Sequence, residues 1–540
     1  MNCALSTISN RTKGFDFGEL FDIYLYLNQT CPPESDIFFP NSRLLTEPVC
    51  RKIAGISNSI WSGWTPYPVS DIWSRIVTWK LPLFQLISQF PRPPLGPGVE
   101  TATLVHLLGD PIDSFTSMLL TLAMCSSRAE QAKSACCKAG IGPSHSEFCR
   151  TWKSLAIIMV SYDECGLSEK ANDLCQEYGT LRTHADFDEE FRHIYDETAY
   201  SLAADRQTKT LPVAFAETFF VGGWIISLLK AASSEPNPAN WVNVEAQSIA
   251  ISALYLWVTS AVGVGSIIGT SQTEGSVPRL LQRFEYDMTE YRGHRARRPS
   301  AGDREKTGWC KISTDRAVHG GVYCWKPTKW RGTFKQFGIG TGTLIVYSLV
   351  GTIAVGCSFL TAAILSYLVS PRGPSCRHVP ESVVFLLWLM SFVADNLLER
   401  WLRRGIFWTV FWKDVFFAVA NIGVVFITQW GIMNRCSCWS MWGLTGLHLP
   451  QLPDVKFELM KLIRQQAPWI VFMAILLQLI FCAAVAWKYW DAVRVFLQRD
   501  DEISNLGWQR RRIERETKPQ EEEYFVLPPP SEHFMAALVS

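Results

Sequence analysis

The sequence predicts an all-α membrane protein: a cytosolic helical head, about six transmembrane helices and a disordered C-terminal tail. Three observations carry this. Six long apolar stretches occupy 211–229, 246–270, 344–368, 383–398, 415–433 and 469–487. Most approach or exceed the roughly 17–25 residues a helix needs to cross a bilayer core, where a backbone must satisfy its own hydrogen bonds. Strand-period alternation persists nowhere, and there is no internal repeat. Tryptophan is abundant, with 22 copies, and suits a chain with many membrane–water boundaries.

The order of elements follows from composition. Residues 1–205 read as a polar helical head. Its first fifty are turn-rich, with Cys31-Pro-Pro and several Asn and Ser. From Val69 to Phe90 apolar residues recur at helical spacing around Trp73, Trp79, Leu83 and Ile87. This segment predicts a helix packed in the head's own core, the alternative being an amphipathic helix on a membrane face. The proline-rich run at 91–98 ends it and acts as a connector. A helical pattern resumes around Leu104, Leu107, Phe115 and Leu122, where Asp110 and Asp113 argue against a bilayer span.

Residues 206–270 hold the first two membrane helices, 271–338 a basic loop, and 339–490 four further membrane helices. The charged, proline-ended segment 491–540 has the composition of disorder.

Charge sets the expected orientation. The loop 271–338 carries 14 Lys and Arg, which places it in the cytosol by the positive-inside rule. Six crossings then put both chain ends there too. The amino-terminal sequence lacks the apolar core of a signal peptide, which agrees. Two sequons, Asn10-Arg-Thr and Asn28-Gln-Thr, run against it, because glycosylation needs a lumenal site. Cysteines of a cytosolic head are expected as thiols. A disulfide between Cys376 and Cys436 or Cys438 is open to the outer loops. The net charge of +1 excludes a nucleic-acid partner of the electrostatic kind. The expected partners are membrane lipid, pathway enzymes and an apolar small-molecule intermediate.

Candidate chemistry lies with four residues. His106 and Asp110 stand four apart, a spacing that puts imidazole beside carboxylate on a helix and could make a general base. The competing reading is a helix-ending hydrogen bond, since Gly109 and Pro111 mark a break. Glu217 and Asp395 lie inside apolar stretches, where a charge costs at least about 2.5–3.5 kcal/mol unless paired or facing a polar cavity. They could line a proton or substrate path. For Asp395 the alternative is pairing with Arg400 or Arg403. Glu190 and His193 have the Glu-x-x-His spacing of carboxylate-bridged metal sites, but the second such motif those sites need is missing, and a solvated acidic helix face is the better reading; Cys136, Cys137, His145 and Cys149 match no standard zinc spacing. Neither a metal nor a cofactor is expected. Gly265-x-x-x-Gly269 would let another helix come close.

The stretch 73–114, WSRIVTWKLPLFQLISQFPRPPLGPGVETATLVHLLGDPIDS, resembles a hallmark segment of a family of filamentous-fungal multi-pass membrane proteins. Pro91, Pro93, Pro94, His106, Gly109, Asp110, Pro111 and Asp113 match best. Some members are encoded beside polyketide–peptide biosynthetic genes. The resemblance implies an accessory membrane protein that assists or organises a step of secondary metabolism. The alternatives are a metabolite exporter and a sensor or scaffold without ligand chemistry. Whether the protein is an enzyme stays open, as does its organelle: endoplasmic reticulum, vacuole or plasma membrane.

Overall fold

The computed structural model describes residues 27, 29–32, 73, 76–92, 97–165, 167–180, 189–207, 210–233, 244–271, 275–295, 340–368, 378–401, 406–430 and 465–497. The two sequon asparagines, Cys376, Cys436, Cys438, most of the basic loop and the tail from residue 498 on lie outside them; the start of the tail, expected to be disordered, is helical over Trp490–Phe496. Described residues up to Gln498 belong to one compact unit.

That unit is almost entirely helical. A π-helical turn, Ile76–Lys80, leads into α1 (Leu81–Ser88). Then come α2 (Pro97–Gly109), α3 (Pro111–Lys138), α4 (Phe148–Glu164), α5 (Ser168–Thr180) and α6 (Glu189–Asp205). They are followed by α7 (Thr210–Ser233), α8 (Val244–Ala253), α9 (Trp257–Ile268) and α10 (Ser276–Arg295). The last group is α11 (Thr341–Leu368), α12 (His378–Trp401), α13 (Ile406–Gln429), α14 (Ala467–Lys488) and α15 (Trp490–Phe496). The extended backbone among the described residues is one two-residue antiparallel pair, β1 (Arg206–Gln207) with β2 (Thr270–Ser271).

Six helical segments are long and apolar enough to cross a membrane: Leu211–Leu229, Ser248–Ile268, Thr341–Leu368, His378–Leu398, Trp408–Gln429 and Ala467–Lys488. The first has the bounds read from sequence. The fourth, expected to be short, is a full 21 residues. The fifth begins at Trp408 rather than Val415, so Lys413 and Asp414 lie inside it, not in the preceding loop. The second is interrupted: α8 ends at Ala253 and α9 begins at Trp257.

Contacts between segment ends show that successive segments alternate in direction. Arg206, beside Leu211, donates to the Ile268 carbonyl. Tyr489 donates to the Tyr347 hydroxyl at 2.7 Å, joining the Thr341 and Lys488 ends. Asp395 pairs with Lys413. These ends define one face of the bundle, here the near face. On the far face Ser248 donates to Gln429 at 2.9 Å, and Ser366 donates to Glu381. Gln478 accepts from Ser260 and donates to the Ala354 carbonyl, tying α9, α14 and α11 together at mid-bundle.

Two helices from the expected head enter this bundle. α2 packs along α13, and the first half of α3 packs along α11 and α9. A Cβ on Gly351 of α11 would sit 3.0 Å from the Ile112 carbonyl and from Phe115 Cβ, so this crossing depends on glycine. Phe115 meets Trp257 and Phe481 edge to face. The other end of α3 emerges past the near face, where Lys133 pairs with Asp491 of α15 at 2.7 Å. There α4, α5, α6 and α10 build a second, aromatic core around Tyr178, Phe191, Tyr195, Phe284 and Tyr291.

Candidate functional site

The turn between α2 and α3 organises the site. Gly109 ends α2, and Asp110 caps α3: its Oδ1 accepts the Asp113 N–H at 3.0 Å, and Pro111 supplies the first helical position. Three contacts fix the depth of this tip. The Leu108 carbonyl accepts Trp388 Nε1–H at 3.1 Å, and Ile112 lies against Gly351. A Cβ on Gly109 would sit 2.6 Å from the Asp414 carbonyl oxygen, so only glycine lets α2 and α13 meet there. Asp414 lies six residues inside its segment, and Gly351 and Trp388 ten residues inside theirs. At 1.5 Å per residue the tip is about 9–15 Å below the near face. α2 and α3 therefore form a hairpin that enters from the near face and returns to it.

Titratable side chains from four helices converge on the tip. His106 Nδ1 lies 2.7 Å from Asp414 Oδ2, and its Nε2 lies 3.6 Å from Asp113 Oδ2. Facing a carboxylate at 2.7 Å, Nδ1 is the donor. Lys413 Nζ reaches Asp395 Oδ2 at 2.7 Å, Asp414 Oδ1 at 2.8 Å and Asp110 Oδ2 at 3.1 Å. Ser391 donates to the same Asp110 oxygen at 3.1 Å. No side chain of the six ionisable groups is more than 7% exposed. Asp395 Oδ1 has no hydrogen-bond partner.

Charge does not balance here. Four carboxylates, Asp110, Asp113, Asp395 and Asp414, face one lysine and one histidine. Even with both bases cationic, two negative charges remain uncompensated among the described residues. Burying an ion without compensation costs several kcal/mol. Ligand atoms of His106, Asp395 and Asp414 come within 4.8 Å of one another, a spacing a metal ion accepts. The Lys413 ammonium already stands among three of the carboxylates, so the protein fills the cation position itself.

Three of the four residues singled out in the sequence meet at this site, with changed partners. His106 does not pair with Asp110. The helix breaks at Gly109, so four-residue helical spacing no longer applies, and the imidazole turns to Asp414 and Asp113 instead. Asp110 serves both readings, capping α3 and bonding to Lys413. Asp395 pairs with Lys413, one helix away.

Glu217 stands apart. It faces Thr259 of α9, the one hydroxyl beside its carboxylate among the described residues, and Cys482 of α14. His193 pairs with Glu197 one turn on, at 3.4 Å. Cys136 is buried, which pushes its thiol up to about 12, while Cys137 is exposed and free. Cys149 accepts from Arg494. The described cysteine–histidine group does not assemble into a ligand set.

Lys413, Asp414 and Ser391 were not legible as site residues. The one available signal was the Lys413-Asp414 pair within Phe407-Trp-Thr-Val-Phe-Trp-Lys-Asp-Val-Phe-Phe, a charged pair flanked by aromatics on both sides. Comparison with protein-family models, curated proteins and solved structures finds no match.

Proposed function

We propose that this is a multi-pass membrane protein that exports an apolar small molecule in exchange for protons, with the cluster at the hairpin tip as its proton-binding centre. The observation that carries the reading is the excess of buried carboxylates around Lys413. In a membrane interior such a group lowers its energy by taking up protons, and gives them up when it meets water. Interrupted helices support it. Transporters place coupling-ion sites where helices break at membrane depth, and here the second segment breaks at Leu254–Leu256 while the hairpin breaks at Asp110. The resemblance to fungal membrane proteins near polyketide–peptide genes supplies the substrate class, a secondary metabolite.

A second reading rests on one contact. His106 with Asp414 is an oriented imidazole–carboxylate pair, the minimum for a general base. In that case the protein assists a biosynthetic step on an apolar intermediate held at the membrane.

Deletion of the gene, with cells and medium profiled separately by mass spectrometry, decides between them. Finished product trapped in cells supports export. A truncated or uncyclised intermediate supports assistance. An unchanged profile in both fractions removes both. Asp414→Asn, expressed at normal level, is expected to reproduce the deletion under either reading.

A further inference from the structure

We infer that the segment from Trp73 to Phe90 is a seventh membrane crossing, with one face against lipid acyl chains, and that the chain before Trp73 lies on the side opposite the basic loop. The inference rests on the six apolar segments crossing a membrane, and adds to that reading a topology that six crossings do not give.

Depth markers run the length of this segment. At one end Phe90 and Pro91 lie against Gly265, where a Cβ would come within 3.0 Å of both. Gly265 is three residues from the near-face end of the second segment. The glycine pair expected to admit a helix thus admits Phe90 and Pro91. Midway, Pro82 touches the position a Cβ would take on Gly223 of α7, at 3.1 Å. Farther along, Lys80 Nζ lies 5.5 Å from the Tyr255 ring, and the π turn packs against α8, the far-face half of the second segment. Markers on two neighbouring segments thus rise in order from near face to far. From Phe90 back to Ile76 the described segment covers about 20 Å at helical rise, most of the roughly 30 Å of a hydrocarbon core.

The two faces of the segment differ in what they meet. Leu83, Leu86, Ile87 and Phe90 are buried against the bundle. Val77, Leu81 and Phe84 are exposed, at spacings of four and three residues that place them on one helical stripe, and Trp73 is exposed too. This stripe continues the exposed apolar face of α7, the segment it packs against, where Phe215, Phe219, Ile225 and Ile226 are also exposed. An apolar surface of this extent has to be covered, and what covers α7 covers its neighbour. The exposed polar residues, Gln85 and Ser88, lie toward the near-face end.

Cysteine chemistry divides along the same line. The described cysteines of the near-face helices, Cys125, Cys136, Cys137, Cys149, Cys165 and Cys175, are free. Cys31, before the crossing, is disulfide-bonded. Thiols on one side and a disulfide on the other is the distribution expected across a membrane that separates reducing from oxidising compartments. The basic loop 271–338 belongs to the near face, so the positive-inside rule makes that face cytosolic. The amino-terminal segment, with sequons at Asn10 and Asn28, then faces the lumen or exterior.

Sealed microsomes carrying the full chain test this directly. One epitope tag precedes residue 10 and another sits within 296–339, and external protease is added before and after detergent. The expected result is a protected amino-terminal tag and a digested loop tag. A glycosidase-sensitive mobility shift lost in N10Q/N28Q would support the same topology. Digestion of both tags in intact vesicles, with the protein resisting alkaline extraction, overturns the seventh crossing while leaving the membrane reading intact. Extraction at alkaline pH overturns both.

Discussion

Arg128 and Lys413 are both buried cations held by carboxylates, yet they are built to opposite rules. Arg128 donates to both oxygens of Asp163, at 2.6 and 2.8 Å, and to Gln131, Asn172 and the Ser168 carbonyl. One charge meets one charge, and the guanidinium fork is filled by planar partners. Lys413 meets three carboxylates with an ammonium, a fourth carboxylate lies beyond His106, and an Asp395 oxygen is left without a partner. A saturated, balanced pair ties α3 to α4 and α5 and has no reason to change. An overloaded one holds its geometry only with extra protons or by rearranging. Burial of charge alone does not mark a working site; imbalance does.

The largest stability effect is expected at the balanced site. Arg128→Met strands Asp163 in an apolar core and should cost about 3–5 kcal/mol, read as a fall in Tm of the purified protein in detergent. Transport per folded molecule should be unchanged. Loss of transport in protein that remains folded would break the comparison, because Arg128 would then belong to the working machinery.

Next is the packing that brings the hairpin to Lys413. Gly109→Ala sets a methyl group 2.6 Å from a backbone oxygen of α13, which cannot move as a side chain can. Overpacking of this kind costs about 1–3 kcal/mol. The expected result is a lower Tm together with lost metabolite export, because α2 must withdraw and carry His106 with it. A variant of wild-type Tm and flux would show that the two helices do not meet this closely.

Asp395→Asn sharpens the contrast by reversing sign. It keeps the shape of the carboxylate and removes one negative charge from an over-negative cluster, so stability should hold or rise by up to about 1 kcal/mol. Proton-coupled export, followed with a pH-sensitive dye in proteoliposomes, should be lost. A large drop in Tm would mean that Asp395 is needed to neutralise Lys413, as Asp163 neutralises Arg128. The site would then be structural.

What the sequence made legible follows from the range of each signal. Apolar runs are local, and Leu211–Leu229 was readable to the residue. Asp395 and His106 stood out because a charge or imidazole in an apolar setting is conspicuous without knowledge of its partner. Lys413 and Asp414 were lost because hydropathy assigns a charged pair at the edge of an apolar run to a loop; their partners Asp395, on the preceding helix, and His106 and Asp110, some 300 residues earlier in the chain, hold them inside. The segment Trp73–Phe90 was hidden for a related reason. Lys80, Gln85 and Gln89 dilute its hydropathy, and Lys80 is accommodated by the Tyr255 ring, a contact no local pattern announces. The hairpin was hidden because α3 changes surroundings midway, from bundle core to near-face helices, so no single periodicity describes it.

The smallest effect is expected at Glu217, a half-buried carboxylate that, unlike Asp395, has no basic partner among the described residues. Thr259 and Cys482 are its neighbours. Glu217→Gln keeps the shape of the side chain and its capacity to hydrogen-bond. Stability should change by less than about 0.5 kcal/mol. Under the proposed export, flux is the informative reading, because the proton-binding centre proposed at the hairpin tip does not include this residue. Unchanged flux in Glu217→Gln, set against lost flux in Asp395→Asn, would confine coupling to the hairpin tip. Equal loss in both would require a second proton site across the bundle, and the path between them would then run past Ser260 and Gln478, the polar residues that join α9 and α14.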